Sequence, residues 1–301
     1  MAIARRGTDQ DLAVALPGRA ESAERTPARW RRLIPMWIGL GLVILLVVIA
    51  LLAPLLAPFS PSEQFSARVL KGPGAAGQHW FGTDEYGRDI FTRIIWGARV
   101  SLQVGVAAVC MAFLVGVPLG IMAGYLGGKL EIGVMRFTDM LLAFPTLLLA
   151  LLIVAALGSS LTNQIVAIGV ALVPNFVRLA QSLTLTVREN DYVMAARALG
   201  ISQVRIMVRH IFPNAMYALV VVATLYVASA IRTEASLSFL GLGVPPPTAS
   251  WGGILSEGRQ YIRCCPWITT FPGLAIMLAI LAFNLMGDAL RDLLDPRLRG
   301  D

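Results

Sequence analysis

Long charge-free stretches alternate with short polar ones along this chain. Met36–Ala57, Val100–Gly128, Met140–Val177, Ile211–Ile231 and Cys264–Gly287 contain no Asp, Glu, Lys or Arg. A helix needs about 20 residues to cross a hydrocarbon core of roughly 30 Å, so each window except one predicts a single crossing. Met140–Val177 has 38 residues, too many for one span. Its middle, Gly158 to Gln164, is polar and turn-rich, which divides it into two. Six helices result, because lipid accepts only backbones whose hydrogen bonds are satisfied internally. The predicted order is a flexible tail over 1–35, a first span at 36–57 and an extracytoplasmic loop over 58–99. A core over 100–295 then carries spans at 100–126, 138–157, 161–187, 214–240 and 267–289. The segment 188–213 joins the fourth span to the fifth, 241–266 forms an outer loop, and 290–301 is the C-terminal segment.

Composition agrees with an all-α polytopic membrane protein. Hydrophobic residues make up 56% of 301, charged residues only 14%, and the mean hydropathy is +0.71, values outside the soluble globular range. An even number of spans puts both termini on one side. With that side cytoplasmic, 16 Lys and Arg fall inside and 7 outside, with Arg178 and Arg232 within spans. Positive charge marks the cytoplasmic face, so the net charge of +7 is topology and requires no nucleic acid. The N-terminal 35 residues hold seven Arg and no apolar stripe, as a solvated tail does. So long a charged lead, followed by a 22-residue apolar run, argues for a retained anchor over a cleaved signal. Cys264 and Cys265 are adjacent, closer than a disulfide accommodates, and read as free thiols.

Finer patterning divides the loops. Pro58, Pro61, Gly72, Pro73, Gly74 and Gly77 mark irregular chain, whereas Ile90, Phe91, Ile94, Ile95 and Trp96 recur at helical spacing among Arg88, Arg93 and Arg99. An interfacial helix feeding span two is predicted there. Gly116, Gly120 and Gly124 are four apart and share a helix face, which permits close helix approach or a hinge. Pro245 to Pro247, Trp251 and Gly252-Gly253 make the second outer loop too irregular to cross lipid.

Residues that carry covalent chemistry are scarce. Gly128-Lys129 is followed by Leu130, so no phosphate loop of the G-x-x-x-x-G-K-[ST] type is present. His79 and His210 are the two histidines, both in predicted loops, which leaves neither a zinc helix nor an embedded Ser/His pair to build. No metal site and no cofactor are expected on this chain. The exception to the polar loops is Asp191 to Asn214. Asp191 is placed to cap a helix, Tyr192 to Leu199, that stops at Gly200. Ala195 and Ala196 leave room for another protein surface, while Arg197, Arg205 and Arg209 offer charge to an acidic rim. An ordinary amphipathic linker is the alternative.

That segment resembles the EAA loop of ABC importer permeases. It keeps Ala195-Ala196, the three-residue gap, Gly200 and Pro213 at the family's spacing, and departs at Met194 for Glu, His210 for Ile and Phe212 for Leu. Three further stretches resemble the dipeptide, oligopeptide and nickel branch: His79 to Asp84 with Gly87 to Asp89, Thr233 to Gly243, and Asn284 to Asp288 with Arg291-Asp292 and Asp295-Pro296. The resemblance, over about 77–300, implies the type I importer permease fold in a bacterial inner membrane. It also implies a heterodimer with a second permease, two cytoplasmic ATPases that hydrolyse ATP with Mg, and an extracytoplasmic binding protein. Asp191, Tyr192, Met194, Ala195, Ala196, Arg197, Gly200 and Pro213 would then couple this chain to an ATPase.

Polar groups inside spans usually face a cavity or a partner, because an ionised group mid-bilayer costs about 2.5–3.5 kcal/mol on insertion scales. Asn175, Arg178 and Gln181 are three apart and share a face; Arg232 and Glu234 sit late in span five. Two readings stand for these five: lining a translocation path, or pairing between helices. Asp288, Arg291 and Asp292 read as a local clasp after span six. The expected function is an ATP-driven importer subunit for di- or oligopeptides, with nickel chelates, glutathione or opine-like solutes as alternatives. Rival classes are an ion-coupled carrier, whose acidic site would fall to Asp139 or Glu234, an intramembrane hydrolase and a structural scaffold.

Overall fold

A computed structural model describes residues 29–74, 77 and 79–294. Most of the expected tail (1–28) and the end of the C-terminal segment (295–301, with Asp295-Pro296) lie outside the described residues. The described chain is helical, its single β-type contact being an isolated bridge between Thr83 and Asp89. The main helices are α1 (Arg29–Leu51), α2 (Ile90–Leu126), α3 (Gly128–Leu142), α4 (Thr146–Leu157) and α5 (Leu161–Arg188). They continue with α6 (Asp191–Ala198), α7 (Phe212–Leu237), α8 (Trp251–Gly258) and α9 (Trp267–Leu294).

Against six predicted spans, four helical stretches among the described residues are long and apolar enough to cross a membrane: Ile90–Leu126, Leu161–Arg188, Gln203–Leu242 and Trp267–Leu293. The third predicted span is broken into α3 and α4, which meet at 89°. Pro145, the N-cap of α4, accounts for the corner, since it has no N–H to donate and disfavours helical backbone at Phe144. Adding this bent pair makes five. The first predicted span contributes a shorter apolar stretch, Met36–Leu51, after which Pro54 opens a separate turn at Ala53–Leu56.

Two further differences lie at helix starts. The predicted interfacial helix is not separate: α2 runs unbroken for 37 residues, its first turns folded into the protein. Asp89 caps it by accepting from the Thr92 amide at 2.7 Å. At 1.5 Å per residue such a helix is about 55 Å long, well beyond the hydrocarbon core. Similarly, the helix containing span five starts at Gln203, ten residues before Pro213. A π-helical turn at Met207–Ile211 leads into Phe212, so Pro213 sits in the first turn of α7 without ending the rod.

The turn predicted between spans three and four is present. Gly158 adopts φ +87°, Ser160 accepts from the Asn163 amide at 3.1 Å, and the Asn163 side chain donates to the Leu157 and Gly158 carbonyls. The glycine ladder on α2 is a packing seam. A Cβ at Gly116 would sit 2.7 Å from the Phe176 Cβ, and one at Gly124 2.8 Å from the Gln181 carbonyl; at Gly120 it would strike the Val177 carbonyl. All three glycines admit the backbone of α5, with Phe176 and Ala180 buried beneath. Gly39 does the same for α1 against α9, where a Cβ would lie 2.7 Å from the Met286 amide nitrogen. Gly120→Val should therefore lower the stability of the purified protein by about 1–3 kcal/mol, the usual range for overpacking. The readout is a lower Tm in detergent. Gly41→Val, where an added Cβ meets nothing within 4 Å, should leave Tm unchanged.

Candidate functional site

At the end of α5 the chain turns through Asn190 into α6. Asn190, rather than Asp191, is the N-cap residue, with extended backbone (ψ 143°) and no side-chain cap bond; Asp191 is the first helical residue. A carboxylate in the first turn still favours the positive end of the helix dipole. The other end is closed as the sequence predicts. Gly200, at φ +76°, donates to the Arg197 carbonyl at 3.0 Å, and Ile201 donates to the Ala196 carbonyl at 3.1 Å. This paired arrangement requires left-handed backbone at the glycine.

Ala195 and Ala196 of α6 meet different surroundings, the first exposed and the second buried. Val193 and Ala196 are buried and hold the helix to the bundle. Ala195, Tyr192, Met194, Arg197, Leu199 and Gly200 are exposed. Arg197 lies 5.3 Å from the ring of Tyr125 on α2, and Tyr192 lies beside His210. Pro213 is exposed one helical segment away. Leu199, Val204 and Val208, exposed by 82%, 66% and 62%, continue an apolar surface beyond α6. Spacing could have placed these three beside the loop, but their outward orientation depends on the helix starting at Gln203.

The polar residues of the spans separate. Arg178 pairs with Asp139 of α3, and Gln181 donates to Glu131 of α3 at 2.7 Å; Asn175 is half-buried on the same helix. The Arg178–Asp139 pair is about half exposed on both sides, where such pairs contribute little stability. Glu234 is fully buried. Ser101 and Ser238 donate to its two oxygens at 3.0 and 2.8 Å, tying α7 to α2 and to the π-helical turn Ser238–Leu242. Arg232 faces the other side and is exposed, bonded to Ser229 at 3.2 Å. Packing therefore accounts for Glu234, and the structure does not bring it together with Arg232. Asp288, Arg291 and Asp292 are exposed, with no ion pair within 4.0 Å among the described residues, so the predicted clasp is not formed. Solvation of exposed charges competes successfully with so weak a pairing.

A charge network that no sequence pattern exposed closes the opposite end. The buried Asp84 carboxylate accepts from Arg88 at 2.7 Å and Arg93 at 2.5 Å; both guanidinium groups also donate to Glu257 of α8, at 2.8 and 2.7 Å. Glu85 stands beside them, and its carboxyl is raised above the ordinary range by burial, then by Asp84 and Glu257, against lowering by its backbone bond and Arg88. His79, fully buried, donates from Nδ1 to Asp89 at 2.9 Å and accepts from Arg68 at Nε2, 3.2 Å away. Trp251 of α8 donates to the Ile94 carbonyl of α2 at 2.9 Å. Asp84 and Arg88 are four residues apart, but Glu257 lies more than 160 residues further along. Among the described residues no group of three or more His, Cys, Asp or Glu side chains is placed to hold a metal ion.

Residues 116–300 match the family of binding-protein-dependent transport system inner membrane components. Residues 29–73 match the N-terminal transmembrane domain of oligopeptide transport permease C. The chain belongs to this family. A dipeptide transport system permease protein of Alkalihalophilus pseudofirmus is 47% identical over 87% of this chain and 86% of its own length. A glutathione transport system permease protein of Pectobacterium atrosepticum is 40% identical over 96% and 97%. A chain of an inward-facing MetNI methionine ABC transporter shares the fold, with TM-score 0.57 at 18% identity, covering 67% of this chain and 96% of that one. The protein is thus a multi-pass inner-membrane permease of the peptide branch of ABC importers. Permeases of this kind work with ATPases and binding proteins.

Removing Asp84 would leave two buried guanidinium groups sharing one carboxylate. Asp84→Ala should destabilise the permease by about 3–5 kcal/mol, the range for breaking a buried ion pair. The measurement is thermal unfolding, with exposed Asp292→Ala as the control, expected within about 0.5 kcal/mol of wild type.

Proposed function

We propose that this permease imports di- or oligopeptides as half of a translocation path, paired with a second, homologous permease subunit. ATP is bound with Mg and hydrolysed by two cytoplasmic ATPase subunits, and substrate arrives on an extracytoplasmic binding protein. The observation that carries the substrate class is 47% identity with a dipeptide permease along 87% of the chain. A second reading, glutathione, is favoured by the relative that covers 96% of the chain; glutathione is itself a tripeptide. Counted as six spans, with Met36–Leu51 in the first and the bent α3–α4 pair as the third, the chain has 16 basic residues on one side and 7 on the other, which supports cytoplasmic termini.

Coupling is assigned to α6. Asp191, Tyr192, Met194, Ala195, Arg197 and Gly200 form or shape its outward side, Ala196 anchors it, and Pro213 stands at the start of α7. When the ATPases close on nucleotide, this helix moves with them, and α3 to α7 tilt about the path. Nucleotide contributes only a bias between two conformations, equal to its differential affinity for them. Asn175, Arg178, Gln181 and Arg232 are the polar residues assigned to the path.

Uptake of a labelled dipeptide by cells carrying the whole system should stop on ATP depletion and persist with a protonophore. The reverse pattern would sink the reading in favour of an ion-coupled carrier. Leu199→Asp should cut co-purification of the ATPases and ATP-driven uptake at least tenfold while Tm of the isolated permease stays unchanged, since Leu199 is largely exposed.

A further inference from the structure

Arg232 is a span cation that no carboxylate of the described residues neutralises. Arg178 has Asp139, and Arg93 has Asp84 and Glu257. Around Arg232 no carboxylate of the described residues lies within 4.0 Å, and its one polar contact is the Ser229 hydroxyl three residues back. The nearest acid in sequence, Glu234, points away, is fully buried and is already bonded by two serines. It cannot neutralise the guanidinium without dismantling the contact between α2 and α7.

The surroundings of Arg232 are those of a binding cavity. It lines an open space of about 440 Å³ whose other walls are chiefly Leu147 of α4, Phe239 and Leu240 of the π-helical turn, Leu255 of α8 and Ile276 of α9. Ser236 is the other polar side chain. That volume falls within the range of small-ligand sites, which combine apolar walls with a few placed polar groups. The cavity sits at the end of α7 remote from α6, next to the outer helix α8. An arginine is costly in apolar surroundings unless a charge meets it, and its planar fork fits a carboxylate with two parallel hydrogen bonds.

We propose that Arg232 receives the carboxylate of the transported solute, with the apolar walls taking its adjoining side chain. For a peptide the group is the free C-terminus. This rests on the importer reading above and adds to it a required chemical feature of the cargo and the atom that meets it.

The test uses the whole system in vesicles: both permeases, the ATPases and the binding protein, with alanyl-leucine and its C-terminal amide as probes. Uptake is normalised to the amount of each probe bound by the binding protein. Wild type is expected to move the acid about tenfold faster than the amide. Arg232→Gln should remove that preference by slowing the acid about tenfold, and Arg232→Lys should restore at least a third of the acid rate. An unchanged acid-to-amide ratio in Arg232→Gln overturns the proposal. So does loss of the second permease from purified Arg232→Gln with retention in Arg232→Lys, which would assign the guanidinium to an acid of that subunit. Should the wild-type system import glutathione and no dipeptide, the dipeptide reading falls, and the same variants assayed on glutathione decide the role of Arg232. Import confined to solutes without a carboxylate overturns it.

Discussion

Neutralising charge where water is scarce is the constraint on which this structure depends. A buried ion costs several kcal/mol unless opposite charge and hydrogen bonds meet it, and the permease concentrates its ions into a few places that satisfy this. Asp84 and Glu257 share Arg88 and Arg93 at one end. Glu234 is satisfied in the middle by hydroxyls of Ser101 and Ser238. The Glu257 contacts and the Ser101–Glu234 bond join segments far apart in sequence, so they also fix where a helix sits. The outer network fastens α8 to the start of α2, and the Glu234 contact fastens α7 to α2.

The consequence is a mechanical contrast between the two ends. At the end remote from α6, α2, α8 and the loop before α2 are held by charge pairs, by Trp251 on the Ile94 carbonyl and by Phe81 stacked 4.1 Å from Phe271. At the other end α6 is eight residues long and is anchored chiefly by Val193 and Ala196. A short element with few buried contacts moves more easily than one locked in a charge network. Such an arrangement suits a part that follows an external engine while the outer frame keeps its shape.

Much of this was legible in the sequence because the bilayer constrains so strongly. Charge-free windows located the apolar helices, four-residue glycine spacing located the α2–α5 seam, and Gly200 located the end of α6. What escaped was long-range or depended on local backbone competition. Glu257 could not be matched to Arg88 and Arg93, since pairing across more than 160 residues leaves no periodic trace. The corner at Phe144-Pro145 was written in the proline, yet the run around it is so apolar that hydropathy alone read one straight span. Arg232 and Glu234 read together as late residues of span five, at two-residue spacing. On a helix that spacing sends side chains about 200° apart, and the two groups meet different surroundings.

Met194 stands where the resembling loops often carry Glu, and its surroundings give the replacement a physical sense. It is 49% exposed on the same helix as Tyr192, while Leu199, Val204 and Val208 lie exposed further along. A carboxylate there would have to be desolvated on docking and would need a cationic partner held in register. A thioether is flexible and polarizable, and it fits irregular apolar surfaces without directional bonds. Burying apolar area contributes about 25 cal/mol per Å², so a cluster of this kind supplies attachment strength through area. In the proposed coupling, direction would fall to Arg197, which lies 5.3 Å from the ring of Tyr125. Attachment by area, with a single oriented charge, tolerates small sliding of the helix against its partner, as a joint that moves under load must.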